Sequence, residues 1–207
     1  MKHFLILIVS LSFSIAAMAQ DSLGFTNKAE AENRMVNGLR EGKWVEYIKY
    51  DSVTTDSNWY ALSIYKGGHI IGISQVYYDG EYGKYKAFET PYANGRENGK
   101  GKEYYSSGKL KQEVPYINGK KNGIAKGYWE SGSLAAEYPY IDDKRNGIVK
   151  GYYENGILVG ETPFTDDKEN GLEKRYREDG KLESLTVWTE GVKGVTKYYD
   201  ENGNEIK

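Results

Sequence analysis

From Gly108 onward, hydrophobic and polar positions alternate with a period of two. After Gly132 one side carries Leu134, Ala136, Tyr138 and Tyr140, and the other carries Glu137 and Pro139. After Gly108 the same sides read Leu110, Val114, Tyr116 against Lys111, Glu113, Pro115, and after Gly180 the first side reads Leu182, Thr186, Trp188. Alternation over a strand length with one apolar side predicts half-buried antiparallel strands. The strand before each of these ends in an aromatic pair: Tyr77-Tyr78, Tyr104-Tyr105, Tyr128-Trp129, Tyr152-Tyr153, Tyr198-Tyr199. Neighbouring residues of a strand face opposite sides, so one ring of each pair joins the core stripe and its partner lies on the outer face.

Two turn signals separate the strands. One is a short dipeptide ending in glycine, at Asp79-Gly80, Ser107-Gly108, Ser131-Gly132, Asn155-Gly156, Asp179-Gly180 and Asn202-Gly203; Asn-Gly and Asp-Gly suit a two-residue hairpin turn, and Ser-Gly a related bulged one. The other is a longer loop closed by glycine, as in "NGKKNG" and "DDKRNG", with closing glycines Gly42, Gly72, Gly99, Gly123, Gly147, Gly171 and Gly194. The four prolines, Pro91, Pro115, Pro139 and Pro163, follow one another at intervals of 24. Each unit is therefore a β-hairpin. The fold class is all-β, an elongated antiparallel meander of stacked hairpins in a single twisted sheet. About seven units advancing about 10 Å each give a length on the order of 65 Å. Proline lacks the ladder donor, so its place before Tyr92, Tyr116, Tyr140 and Phe164 predicts a corner where pairing ends and the strand bends into the longer loop.

Composition changes this picture in three ways. Tyrosine numbers 20 and aliphatic residues are sparse after the N-terminus, so burial rests on aromatic rings. Cysteine is absent, which excludes disulfides, thiolate metal sites and cysteine nucleophiles. The opening "MKHFLILIVSLSFSIAAMAQ" reads as a secretory signal, with a basic start, a short apolar core and Ala17-Met18-Ala19 before a cut between Ala19 and Gln20. The expected organisation is a signal peptide over 1–19, a lead-in over 20–36 and the array over 37–207, most regular from 95 to 180. The product is exported, to the periplasm, the cell surface or beyond. Removing Lys2 leaves 27 basic against 30 acidic residues, net −3. That balance speaks against nucleic acid, and nothing after the cut predicts stable membrane insertion.

Candidate chemistry is thin. His69 is the one histidine beyond the leader and sits at a turn, without a serine elbow or a second histidine near it in sequence. Glu113, Glu137 and Glu161 recur at 24 in equivalent surroundings, whereas paired catalytic acids need different ones; they read as a solvated face paired with lysines. Asp142-Asp143 and Asp166-Asp167 lack the spacing of a calcium loop and read as turn residues. No enzyme, metal or cofactor is expected. The candidate binding residues are the outward rings Tyr105, Trp129, Tyr153 and Tyr199, at the second place of the aromatic pairs. Such a row serves either as cover for the sheet or as an interface.

The stretch "NGKKNGIAKGYWESGSLAAEYPY" resembles the bacterial MORN-variant repeat, of the type in the YwqK-like antitoxin family. The resemblance runs from about Asn37 to the C-terminus and is clearest from Gly95 to Gly180. It implies hairpin repeats used as binding or scaffold surfaces, and in some members neutralisation of a toxin. Two features depart from the pattern: the export signal, and proline where many such repeats carry an ordinary strand residue. The expected function is an exported, non-enzymatic scaffold that binds another protein through an aromatic and charged β-surface. Inhibition of a toxin and recognition of cell-wall or extracellular glycan are the alternatives.

Overall fold

The computed structural model describes residues 27–48, 58–80 and 83–206. The leader and its cut at Ala19-Gln20 lie outside the described residues, as does most of the insertion between Tyr50 and Trp59. After a turn of 3-10 helix (Lys28–Glu30) the chain is all strand. The first five strands are β1 (Arg34–Val36), β2 (Leu39–Ile48), β3 (Trp59–Lys66), β4 (His69–Gly80) and β5 (Gly83–Ala93). Three regular units follow: β6 (Arg96–Glu97), β7 (Gly99–Tyr104), β8 (Leu110–Ile117); β9 (Lys120–Lys121), β10 (Gly123–Tyr128), β11 (Leu134–Ile141); β12 (Lys144–Arg145), β13 (Gly147–Tyr152), β14 (Leu158–Thr165). The last strands are β15 (Lys168–Glu169), β16 (Gly171–Tyr176), β17 (Leu182–Thr189), β18 (Val192–Tyr199) and β19 (Glu205–Ile206). Every pairing is antiparallel, and the short strands β6, β9, β12 and β15 pair only with the long strand before them, giving one open meander. The predicted fold class is the observed one.

The two turn types are exchanged relative to the sequence reading. The "longer loop" is a two-residue hairpin turn with both residues left-handed: φ is +53° and +85° at Asn118-Gly119, +49° and +73° at Asp142-Asp143. Such a turn matches strand twist. The Ser-Gly sites are three-residue loops, in keeping with the bulged turn expected there, and Asn155-Gly156, Asp179-Gly180 and Asn202-Gly203 take the same form instead of a two-residue turn. In the first, Gly108 N–H donates to Tyr105 O and Tyr105 N–H to Lys109 O, both at 2.8 Å. Glycine there supplies one left-handed residue, φ +81°. Asp79 and Gly80 belong to β4, which pairs Gly80 with Gly83; residues 81 and 82 lie outside the described residues.

The prolines do not end their strands. β8 runs through Pro115 to Ile117. The irregular step is on the facing strand, where Asn122 separates β9 from β10. Pro115 O accepts the Asn122 N–H at 2.9 Å, and the same bond recurs at Pro91, Pro139 and Pro163. N–H and C=O of one strand residue point to the same neighbour, so the donor that proline lacks would have faced this broken step. The ring fills the space left by a missing side chain: a Cβ on Gly99, Gly123, Gly147 or Gly171 would lie 2.9–3.1 Å from the Cγ of Pro91, Pro115, Pro139 or Pro163 respectively. Proline and closing glycine are one device. Gly194 is not part of it. It lies within β18 without a left-handed φ, in a unit one residue shorter, and a Cβ on it would lie 3.0 Å from the carbonyl oxygen of residue 187. In this unit Val187 also stands in place of proline.

The units are tied along the turn edge. The second turn residue donates its N–H to a carbonyl of the preceding unit: Gly95 to Ile70, Gly119 to Glu97, Asp143 to Lys121, Asp167 to Arg145, Gly191 to Glu169, at 2.8–3.1 Å. Asp167 adds a side-chain tie, accepting from Arg145 N at 2.9 Å and Arg145 Nε at 3.0 Å. The Arg145 guanidinium lies 4.1 Å over the Phe164 ring. The backbone hydrogen bond first, and then the guanidinium, hold Asp167 below its ordinary carboxylate pKa. A depressed folded pKa contributes stability above the unfolded value, and that stability is lost as pH falls through the folded one. The advantage of the wild type over Asp167→Asn in urea midpoint is therefore expected at neutral pH and to fade below about pH 4. An advantage that stays constant down to acid pH would overturn the assignment.

Candidate protein-binding face

Register and side-chain parity sort the sheet into two faces. On one, a row of direct cross-strand partners runs Glu89, Lys102, Glu113, Lys126, Glu137, Lys150, Glu161, Lys174. Opposite charges placed directly across strands attract, and the row holds ion pairs at Lys126–Glu137 (3.4 Å), Lys150–Glu161 (3.8 Å) and Lys174–Glu161 (3.7 Å). The glutamates keep only 18–23% of their side-chain exposure. The recurrent glutamates are thus paired with lysines, as their spacing implied, and mostly shielded rather than freely solvated.

Two other columns flank this ladder. Toward the turn edge, an apolar stripe pairs Ile124 with Pro139, Ile148 with Pro163 and Leu172 with Val187, with Ile117 and Ile141 at the strand ends. These isoleucines and Leu172 are 43–54% exposed. Toward the loop edge stand the pairs Tyr104–Leu110, Tyr128–Leu134, Tyr152–Leu158 and Tyr176–Leu182. A register shift precedes each pair, and an extra residue in one strand reverses which face the following residues take. Leu110, Leu134, Leu158 and Leu182 therefore share the ladder face rather than that of Val114 and Tyr116. The Tyr152 hydroxyl, donating to Glu137 at 3.2 Å, marks that side.

The ladder face is covered at its N-terminal end by the chain itself. Tyr60 and Leu62, 1% and 0% exposed, form its core with Val45, Ile64 and Tyr77, and Ala31 packs onto them. Lys28 lies 4.4 Å over the Tyr60 ring and pairs with Asp79 at 3.0 Å. From β7 to β17 no described segment lies on this face. The opposite face carries the ring column Tyr92, Tyr116, Tyr140, Phe164 and Trp188 above small residues such as Gly101 and Ala125.

The predicted outward rings have a defined intramolecular task. Tyr105 Oη donates to Tyr128 O at 2.7 Å, Trp129 Nε1 to Tyr152 O at 3.2 Å, and Tyr153 Oη to Tyr176 O at 3.0 Å. Arg177 takes the fourth place and donates to Tyr199 O and Asp200 O. The row stitches each loop to the next unit; its polar tips are committed. Tyr199 lies near the C-terminal edge, where it pairs with Glu205. His69 is exposed at the start of β4 and sits against Gly95 of the next turn. Among the described residues no three acidic or histidine side chains stand close enough to hold a metal ion. The apolar stripe escaped the sequence reading. Its signal was present, a large aliphatic directly after three closing glycines in Gly123-Ile124, Gly147-Ile148 and Gly171-Leu172.

The pattern of the MORN repeat variant matches residues 97–118, 121–142, 145–166 and 169–188. Those four consecutive segments are similar to that repeat. Each match starts on the short strand after a turn; the first three end on the first residue of the next turn. No curated protein matches the chain.

Proposed function

We propose that this chain is an exported, non-catalytic scaffold that binds another protein through the ladder face. The observation that carries the reading is the stripe Ile124, Ile148 and Leu172, with Ile117 and Ile141, left exposed at one phase of successive repeats. Contiguous apolar surface on a soluble chain marks an interaction site. Its ion-paired ladder gives the apolar stripe a polar border, as interfaces commonly have. MORN repeats are not an enzyme family, in keeping with a scaffold. Export rests on the leader-like first 19 residues.

The test is capture from the envelope fraction by the processed chain, by an Ile124→Lys/Ile148→Lys variant and by Trp129→Ala. The wild type and Trp129→Ala are expected to retain one protein at near-stoichiometric yield, and the double variant to lose it. Equal retention by the double variant, or no retained protein at all, would sink the reading.

A further inference from the structure

We infer that the occupant of the ladder face is the ladder face of a second copy of this chain, related by a two-fold axis that lies parallel to the strands and passes between Lys126 and Glu137. This rests on the reading of that face as a protein-binding surface and names its partner. The first support is the order of charges. The ladder begins with glutamate at Glu89, ends with lysine at Lys174 and alternates without a break. A row of that kind, reversed about its centre, meets its own opposite at every position. Lys126 falls against Glu137, Glu113 against Lys150, Lys102 against Glu161.

Hydrophobic placement gives the second support. A rotation about an axis along the strands reverses the order of strands but preserves the position along each strand. The apolar stripe then lies on the apolar stripe, with Ile124 against Pro139 and Ile148 against Pro115 of the other copy. A two-fold axis along the length of the sheet would instead set like charge on like charge, which is destabilising. Isologous contact of this type is the commonest form of self-association.

Pitch and coverage complete the argument. Two strands advance the array by about 10 Å, so a partner of any other pitch falls out of register within a few strands, whereas a second copy keeps step. Strand twist of about 20° per strand limits face-to-face contact to the central strands β8 to β13. There the glutamates are already mostly shielded by neighbours, so less of their hydration remains to be lost. Upstream, at β2 to β4, the chain covers the same face with Lys28 and Ala31, and contact stops where that cover begins.

Sedimentation of the processed chain over a roughly hundredfold range of concentration tests the inference. A monomer–dimer equilibrium is expected. Glu113→Lys and Lys150→Glu are each expected to weaken it by about tenfold or more, and the double swap to restore it to within about threefold of wild type. Rescue cannot arise within one copy, because Glu113 is flanked by Lys102 and Lys126, and Lys150 by Glu137 and Glu161. Far-ultraviolet circular dichroism of each variant checks that it is folded. A chain that sediments as a monomer throughout, or a double swap no stronger than the single ones, overturns the two-fold pairing. Retention of another protein in the capture assay, with loss in the Ile124→Lys/Ile148→Lys variant, would still stand in that event, so the two failures are distinguishable.

Discussion

Replacing Gly147 by valine is expected to destabilise the array by about 3 kcal/mol, measured by urea unfolding. Two costs combine. The backbone there has φ +124°, a conformation open in practice to glycine alone. A side chain would also place its Cβ 3.0 Å from the Cγ of Pro139 and 3.2 Å from its Cβ. A pyrrolidine ring has no rotamer by which to step aside. The two costs can be separated. Pro139→Ala in the same chain is expected to return about 1 kcal/mol by removing the Cγ contact and the rigid ring, leaving the backbone cost in place. The last unit shows how the fold manages without this device. It carries Val187 in place of proline and faces it with Gly194, which does not adopt a left-handed φ. A loss below about 1 kcal/mol in Gly147→Val would mean that the middle units can adopt that second arrangement at little cost.

The coupling of proline to glycine also shows how far the sequence could be read. The period of two, the interval of 24 and the glycine-bearing turns were enough for an antiparallel hairpin meander, because each reports local backbone geometry. They did not distinguish the two turn types. Asn-Gly and Ser-Gly both signal a left-handed residue, and Asp142-Asp143 makes the tightest kind of turn with no glycine at all. Proline was legible as a marker, but its meaning depended on which strand carried the irregular step, a fact of pairing rather than of one strand. The aromatic row was legible as a row. That its hydroxyl and indole groups reach the next unit, as Trp129 reaches Tyr152 O, depends on the distance between stacked units. The ladder was half visible in Glu113, Glu137 and Glu161; its lysines sit in other strands, and only register brings them opposite. Bulges before Tyr104, Tyr128, Tyr152 and Tyr176 moved four leucines across the sheet, which alternation counted from Gly108 or Gly132 could not foresee.

Leu62→Ala is expected to cost about 3 kcal/mol, and to do so locally. Leu62 is fully enclosed, paired between Val45 and Gln75, with Tyr60 and Tyr77 stacked at 5.3 Å on the same side. Nothing in the later repeats matches this. From β7 to β16 the corresponding row is the charged ladder, whose members stay partly exposed and whose neighbours across the strands hold them through ion pairs and backbone bonds. In an array each unit touches only those beside it, so stability is close to a sum of unit and neighbour contributions. A cavity at Leu62 should open the N-terminal strands while leaving the middle repeats closed. Hydrogen exchange is the measurement. Amide protection in β2 to β5 is expected to fall by about two orders of magnitude, and protection in β10 to β17 to change by less than about threefold. Protection lost evenly along the whole chain would show that the array unfolds as one unit. The hydrophobic core near the N-terminus would then be the support of every repeat after it, rather than the end cap of a chain whose middle stands on its own ladder, turns and stitched loops.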